Sequence, residues 1–221
     1  MRWINLGLCP YAQALELQHE LVADHKNGSG VDTLLLLEHP PVLTLGRRAN
    51  ESNILASSEL LAREGIEVFK VERGGDVTYH GPGQLVGYPI LDLRHFKQDV
   101  GWYVASVAEV LTRTLLDFGL RGAYRQDLPG VWVGDEKIVA IGARIEKWVT
   151  SHGFACNVNP NMQHWQLIIP CGISDKGVTS LAHLLGREIS VDEVVPRVVQ
   201  HFGDVFGVTM EAGLVPSRFT A

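Results

Sequence analysis

The alternating run Ile66–Val71 and the apolar run Leu85–Leu91 are separated by Arg73-Gly74-Gly75-Asp76-Val77-Thr78-Tyr79-His80-Gly81-Pro82-Gly83-Gln84. Five of these twelve residues are Gly or Pro. Glycine lets backbone N–H groups approach a neighbour with no Cβ in the way, and proline fixes a turn without adding a donor. Thr, Tyr, His and Gln are interleaved with them. That mixture reads as one wall of a binding cleft rather than an ordinary surface loop.

The segments around it alternate between strand and helix patterns. Apolar positions at Ala14, Leu15, Leu17, Leu21 and Val22 predict a helix over 11–26, with Pro10 suited to its first turn. Thr33–Leu37 and Val42–Leu45 read as strands, Ser58–Arg63 as a short helix, and Ile66–Val71 and Leu85–Leu91 as strands. Asp99 is placed to cap a helix that runs to about Phe118 and stops at Gly119. Gly134-Asp135-Glu136, between Val131–Val133 and Ile138–Ile145, signals a hairpin. Gly153–Val158 is expected as its third strand, and Asn159-Pro160 opens a short helix. Ser190 and Glu193 form a capping-box pattern ahead of Val194–Phe206, with Pro196 shortening or bending the first turns. Strands in runs, with helices between the groups, predict an α/β or α+β domain. Its mixed β-sheet carries packed helices and is not doubly wound. One domain over 1–221 is expected, since no linker or repeat divides the chain.

The formal net charge of −6 argues against a nucleic-acid binder. An acidic protein partner would have to meet a local basic patch, for which Arg47-Arg48, Arg73, Arg144 and Lys147 are candidates. No apolar run approaches the length of a membrane span, and the start shows no signal-peptide pattern, so a cytoplasmic location is expected. Cys9, Cys156 and Cys171 cannot all pair with one another and none sits in a C-x-x-C, so neither a disulfide framework nor a metal site is expected.

Two residues carry candidate reactive chemistry. Strand alternation puts Lys137 on one face with Val139, Ile141, Ala143 and Ile145, at the turn end of an apolar row. Partial desolvation there would disfavour the ammonium and suit it to proton transfer. The alternative is a hairpin-end lysine directed to water. In Ala140-Ile141-Gly142, a glycine inside a strand marks either close approach of another chain or a bulge. Pro170-Cys171-Gly172 places a thiol at a strand–loop junction. It is a nucleophile if a cation stands beside it, and otherwise a small packing residue. Cys9 and Cys156 read as packing residues. Of nine histidines, His80 and His152 are the ones to consider; His80 is placed to hydrogen-bond a substrate or shape the loop, and is not taken as the primary base.

Glu38-His39-Pro40-Pro41-Val42 with Thr44-Leu45-Gly46, the Arg73–Gln84 segment, Lys137-Ile138 with Ala140-Ile141-Gly142, His152-Gly153-Phe154-Ala155, and Pro170-Cys171-Gly172-Ile173 with Thr179-Ser180-Leu181 occur in order along nearly the whole chain. Together they resemble the lipoyl(octanoyl) transferase family. The resemblance implies the fold of biotin and lipoate protein ligases. It also implies transfer of an octanoyl group from octanoyl-acyl carrier protein, through a cysteine thioester, to a lysine of a lipoyl domain. The acceptors would be E2 subunits of 2-oxoacid dehydrogenases and the glycine cleavage H protein, and no cofactor is needed. By the same resemblance Cys171 would accept the acyl group and Lys137 would lower its pKa. Arg73, Gly74, Gly75, Asp76, Val77, Thr78, Tyr79, His80, Ala140, Ile141, Gly142, Gly153, Phe154 and Ala155 would line the acyl and carrier site, although no separate role attaches to Asp76. The alternatives are an ATP-dependent lipoate or biotin ligase on the same fold, a thioesterase, and a non-catalytic acyl- or carrier-binding module.

Overall fold

The structure, a computed structural model, describes residues 1–170 and 176–219. Its strands are β1 (Arg2–Leu8), β2 (Thr33–Glu38), β3 (Val42–Leu45), β4 (Glu67–Lys70), β5 (Val77–His80), β6 (Gln84–Ile90), β7 (Ala123–Tyr124), β8 (Gly130–Val133), β9 (Glu136–Glu146), β10 (Val149–Asn157), β11 (Gly177–Val178) and β12 (Glu211–Ala212). Its α-helices are α1 (Tyr11–Lys26), α2 (Ser58–Arg63), α3 (Val100–Asp117), α4 (Leu181–Leu185) and α5 (Val191–Phe206).

Two sheets result. In the large one the order is β12-β1-β2-β6-β10-β9-β8-β7, with β11 paired to β9; the small one is β4-β3-β5. Both are mixed: β1–β2, β1–β12, β9–β11 and β3–β4 run parallel, and the other pairs antiparallel.

The apolar run at β2 follows from burial on both faces. Leu34 and Leu36 enter a core with residues of α3 and α5, while Leu35 and Leu37 enter a second core with Ala14, Leu17 and Leu21 of α1. A strand covered on both sides loses its polar alternation. A third, smaller core joins Leu43, Val77 and Tyr79 of the small sheet to Trp165 and Ile168.

Local signals account for the helix ends. The Asp99 carboxylate accepts from the Trp102 N–H at 2.9 Å at the start of α3. At α5 the Ser190 hydroxyl and Glu193 carboxylate complete the reciprocal capping box. Pro196 lies within α5, which continues through it as one helix.

Two departures from the sequence expectation shape the site. Val77–His80 is not loop but strand β5, antiparallel to β3 with Val42 opposite His80. The glycines on either side of it turn the chain into and out of the small sheet. The β8–β9 ladder also slips: Val131 faces Val139, but Trp132 faces Lys137. This bulge leaves Ile138 as the extra residue, and both Ile138 and Val139 enter the α3/α5 core. Lys137 is thereby moved off the Val139 face, correcting the simple alternation. It joins Ala140 in lining a cavity on the small-sheet side. Among the described residues no helix is long and apolar enough to cross a membrane.

Candidate functional site

The large and small sheets meet where the Arg73–Asp76 segment crosses β9. The Gly74 N–H donates to Ala143 O at 3.0 Å. A Cβ on Gly142 would lie 3.1 Å from Gly74 O and 3.5 Å from Arg73 Cδ. Gly142 therefore marks the close approach of a neighbouring chain, and the bulge in β9 lies elsewhere.

Arg73 is buried and fixes this crossing. Its Nε donates to Thr44 Oγ1 at 3.1 Å, its Nη1 to Gly74 O at 2.9 Å, and its Nη2 to Thr44 O at 2.7 Å and Asp76 O at 2.8 Å. The Asp76 carboxylate accepts from the Asn50 and Val77 N–H groups and from Asn53 Nδ2. Both side chains hold the loop in shape. Arg144 is engaged as well, pairing with Glu72 and Glu146. Of the expected basic patch, Arg73 and Arg144 are thus committed within the fold, while Arg47 and Arg48 lie exposed at the loop, with Arg48 on the rim of the groove described next.

Behind the crossing lies a narrow cavity of about 50 Å³ lined by Arg73, Gly74, Gly75, Thr78, His80, Ala140, Ile141, Gly142, Gly153, Phe154 and Ala155, together with Tyr11, Tyr88, Pro129 and His152. It shares Gly74, Gly75, Pro129, Ile141 and Gly142 with an outer groove of about 610 Å³ that also reaches Asp76, Asp127 and Lys137. Val77 and Tyr79, expected to line the site, do not. Strand alternation turns them into the third core, where Tyr79 OH bonds His164 Nδ1 at 2.7 Å. Lys137, 8 % exposed, borders two further small cavities with Pro170 and Val178. Cys171 lies outside the described residues; Pro170 precedes it in sequence.

The inner cavity has a floor of neutral aromatic and imidazole groups, Tyr11, Tyr88, His80 and His152, with His39 packed behind them. His39 Nδ1 stands 2.7 Å from Cys9 O, a pure acceptor, so this nitrogen carries the proton. His39 Nε2 then accepts from Tyr88 OH at 2.7 Å. The same reasoning fixes His80. Asn157 Nδ2 donates to Thr179 O at 3.0 Å, so Asn157 Oδ1 accepts from Gln84 Nε2 at 2.9 Å, and that nitrogen also donates to Tyr79 O at 3.2 Å. Gln84 Oε1 is left to accept from His80 Nδ1 at 2.7 Å. His80 Nε2 is therefore a lone pair.

Burial holds these imidazoles neutral. The His39 pKa is pushed down to about 4 by desolvation, and that of His80 to about 3 by desolvation and then His39. That of His152 falls to about 3 through desolvation and the nearby Arg73 charge. Burial raises the Tyr11 phenol to about 12. Cys9 and Cys156 are both buried, with their thiols raised by desolvation to about 11 and about 12, as packing residues should be. Among the described residues no group of three His, Cys, Asp or Glu side chains converges as metal ligands.

Sequence reasoning did not single out Tyr11, Tyr88, Asn157 or Pro129 for this site. Tyr11, Tyr88 and Asn157 sit inside regular elements; the packing of α1 against β6 brings Tyr11 to Tyr88, and the β6–β10 pairing brings Asn157 to Gln84.

The family defined as the lipoyl protein ligase A/B catalytic domain matches residues 10–203. The chain belongs to that family. An octanoyltransferase of Solibacter usitatus is 52 % identical over 209 residues, which cover 95 % of this chain and 94 % of that one. An octanoyltransferase of Caldicellulosiruptor bescii is 51 % identical, covering 93 % and 91 % respectively. Among solved structures, a bipartite lipoate protein ligase of Thermoplasma acidophilum superposes with a TM-score of 0.72 at 15 % identity, covering 99 % of this chain and 88 % of that one. The mixed-sheet architecture is thus that of the lipoate protein ligases. The catalytic domain of this family is built here around a cavity with a neutral imidazole floor and a lysine on the adjoining groove.

Proposed function

We propose that this protein is an octanoyltransferase that carries an octanoyl group from a carrier thioester to a lysine of a lipoyl domain, by way of a thioester on Cys171. The observation that carries the reading is Lys137, a buried lysine displaced by a bulge into cavities it shares with Pro170, the residue before Cys171. The relatives at about half identity over nearly their whole length, all octanoyltransferases, support the acyl group.

The chemistry follows in two balanced steps. The Cys171 thiolate, favoured by the Lys137 ammonium, attacks the octanoyl carbonyl, and the carrier's C–S bond breaks. The carrier leaves as a thiolate and takes a proton from the Lys137 ammonium, which leaves that amine neutral and able to accept the proton released in the second step. The neutral amine of the acceptor lysine then attacks the Cys171 thioester, expelling the thiolate and losing a proton, for which Lys137 is a relay. Thioester-to-thioester exchange is nearly isoenergetic and amide formation is downhill, so no nucleotide enters.

The cavities suit this cargo. At roughly 10–15 Å³ per enclosed water, the inner cavity of about 50 Å³ takes only part of an eight-carbon chain. The adjoining groove of about 610 Å³ takes the remainder and the carrier's arm. Neutral imidazoles and Phe154, Ile141 and Ala155 offer that chain no unpaired charge to desolvate. The partners are octanoyl-acyl carrier protein as donor and lipoyl domains of E2 subunits and the glycine cleavage H protein as acceptors. Residues 1–221 work as one catalytic domain.

The competing reading is an ATP-dependent ligase on the same fold. Incubating the protein with octanoyl carrier protein and a lipoyl domain, with ATP removed enzymatically, separates the two. Octanoylated lipoyl domain is expected, and its absence until ATP and free octanoate are added would favour the ligase.

A further inference from the structure

Lys137 Nζ lies 4.9 Å from the centroid of the Trp132 ring. The pairing is built into the fold. The β8–β9 slip places Trp132 opposite Lys137, the indole N–H donates to Leu128 O at 3.1 Å, and Trp132 is 2 % exposed. Position 130 is a glycine whose Cβ would come within 3.4 Å of Lys137 Cδ and Cε, so the lysine stem runs close along that strand. The same indole carries the Arg125 guanidinium at 4.9 Å, and Arg125 is itself anchored to Gly134 O and Asp135. An aromatic face attracts a cation and has no comparable pull on a neutral amine, and the attraction grows where water is excluded.

We propose that Trp132 is a positioning residue for the transfer reaction, its ring holding Lys137 as an ammonium and directing it into the cavity shared with Pro170. The inference rests on the reading of Lys137 as the partner of Cys171. It adds a contact that favours the ammonium, the form of the lysine that stabilises a thiolate. Among the described residues, the charged groups that share cavities with Lys137 are Lys176, Asp76, Asp127 and Arg48, and Arg125 shares its ring. Lys176 is paired with Asp135 at 2.9 Å. Arg125 also loses its ring contact when Trp132 is changed, and keeps its bonds to Gly134 O and Asp135.

The test is a titration of Lys137 by NMR in the full-length protein labelled with ¹³C at lysine Cε, its signal assigned through Lys137→Arg. In the wild type the Lys137 Hε resonances are displaced upfield by the ring. In Trp132→Leu that displacement is lost, and the titration midpoint falls by about 0.7 pH unit, a roughly fivefold loss of preference for the ammonium. Trp132→Phe keeps an aromatic face without the indole N–H, and its midpoint stays within about 0.3 pH unit of the wild type. If the leucine variant does not fold, fluorotryptophan drains the ring face without changing its shape and lowers the midpoint in the same direction. An unmoved midpoint in the leucine variant or in the fluorinated protein overturns the inference. Failure of the underlying reading looks different: Lys137→Met would then transfer octanoyl at the wild-type rate, whatever the titration showed.

Discussion

Moving from pH 7.5 to pH 5.5 should remove about 4 kcal/mol of folding stability through three histidines. His39, His80 and His152 have folded-state pKa values lowered to about 4, about 3 and about 3, from an ordinary value of 6.5. Between those values the unfolded chain binds protons that the folded chain refuses. Stability is therefore full above pH 6.5 and falls as the solution is acidified. Over this interval each group contributes about 1.4 kcal/mol, because the unfolded imidazole goes from mostly neutral to mostly charged while the folded one stays neutral. Carboxylates add little, since they titrate lower. Urea unfolding followed by tryptophan fluorescence at the two pH values measures the difference. Replacing His152 by Gln should reduce the loss by about a third. A loss below about 1 kcal/mol in the wild type would refute the neutral floor, as would NMR evidence of a charged His80 in the folded protein at pH 5.5.

Gln84→Leu leaves the His80 Nδ1–H, Tyr79 O and Asn157 Oδ1 without the partner they share. It should cost about 3 kcal/mol in urea unfolding, at roughly 1 kcal/mol or more for each stranded group. Gly130→Ala sets a Cβ 2.4 Å from Val139 O, a backbone clash at the bulge. It is expected to lower the rate of octanoyl transfer at least tenfold through displaced Lys137, with a loss of about 2 kcal/mol or more in thermal unfolding. Arg73→Leu removes the clamp on Thr44, Gly74 and Asp76. Its loss of about 3 kcal/mol should appear with fast hydrogen exchange at the Gly74 N–H, and slow exchange there would contradict the clamp.

Much of the architecture could be read before any coordinates. The helix over 11–26, the α3 cap at Asp99 and the capping box at Ser190 lie where local chemistry places them, because each depends on residues within one or two turns. The hairpin at Gly134-Asp135 is legible for the same reason. What local pattern missed depends on an untypical turn and on partners distant in sequence. The β9–β10 turn is made by Lys147 and Trp148, with φ of 52° and 68°. Neither residue signals a type I′ turn, so β10 starts four residues earlier than its apolar pattern suggests. β1 and β12 are parallel neighbours separated by nearly the whole chain. The bulge that turns Lys137 to the small-sheet side depends on α3 and α5 drawing in both Ile138 and Val139, which no strand periodicity contains. The glycine-rich segment was legible as a wall of the cleft, but β5 within it was not, since its pairing with β3 shows only in the folded sheet.

Transfer through a thioester on Cys171 is tested most directly by the intact mass of the protein after mixing with octanoyl carrier protein in the absence of nucleotide. The wild-type chain should gain the mass of one octanoyl group and lose it when a lipoyl domain is added, while Cys171→Ala should gain nothing. A wild-type chain that stays unmodified while the lipoyl domain becomes octanoylated would contradict the covalent route.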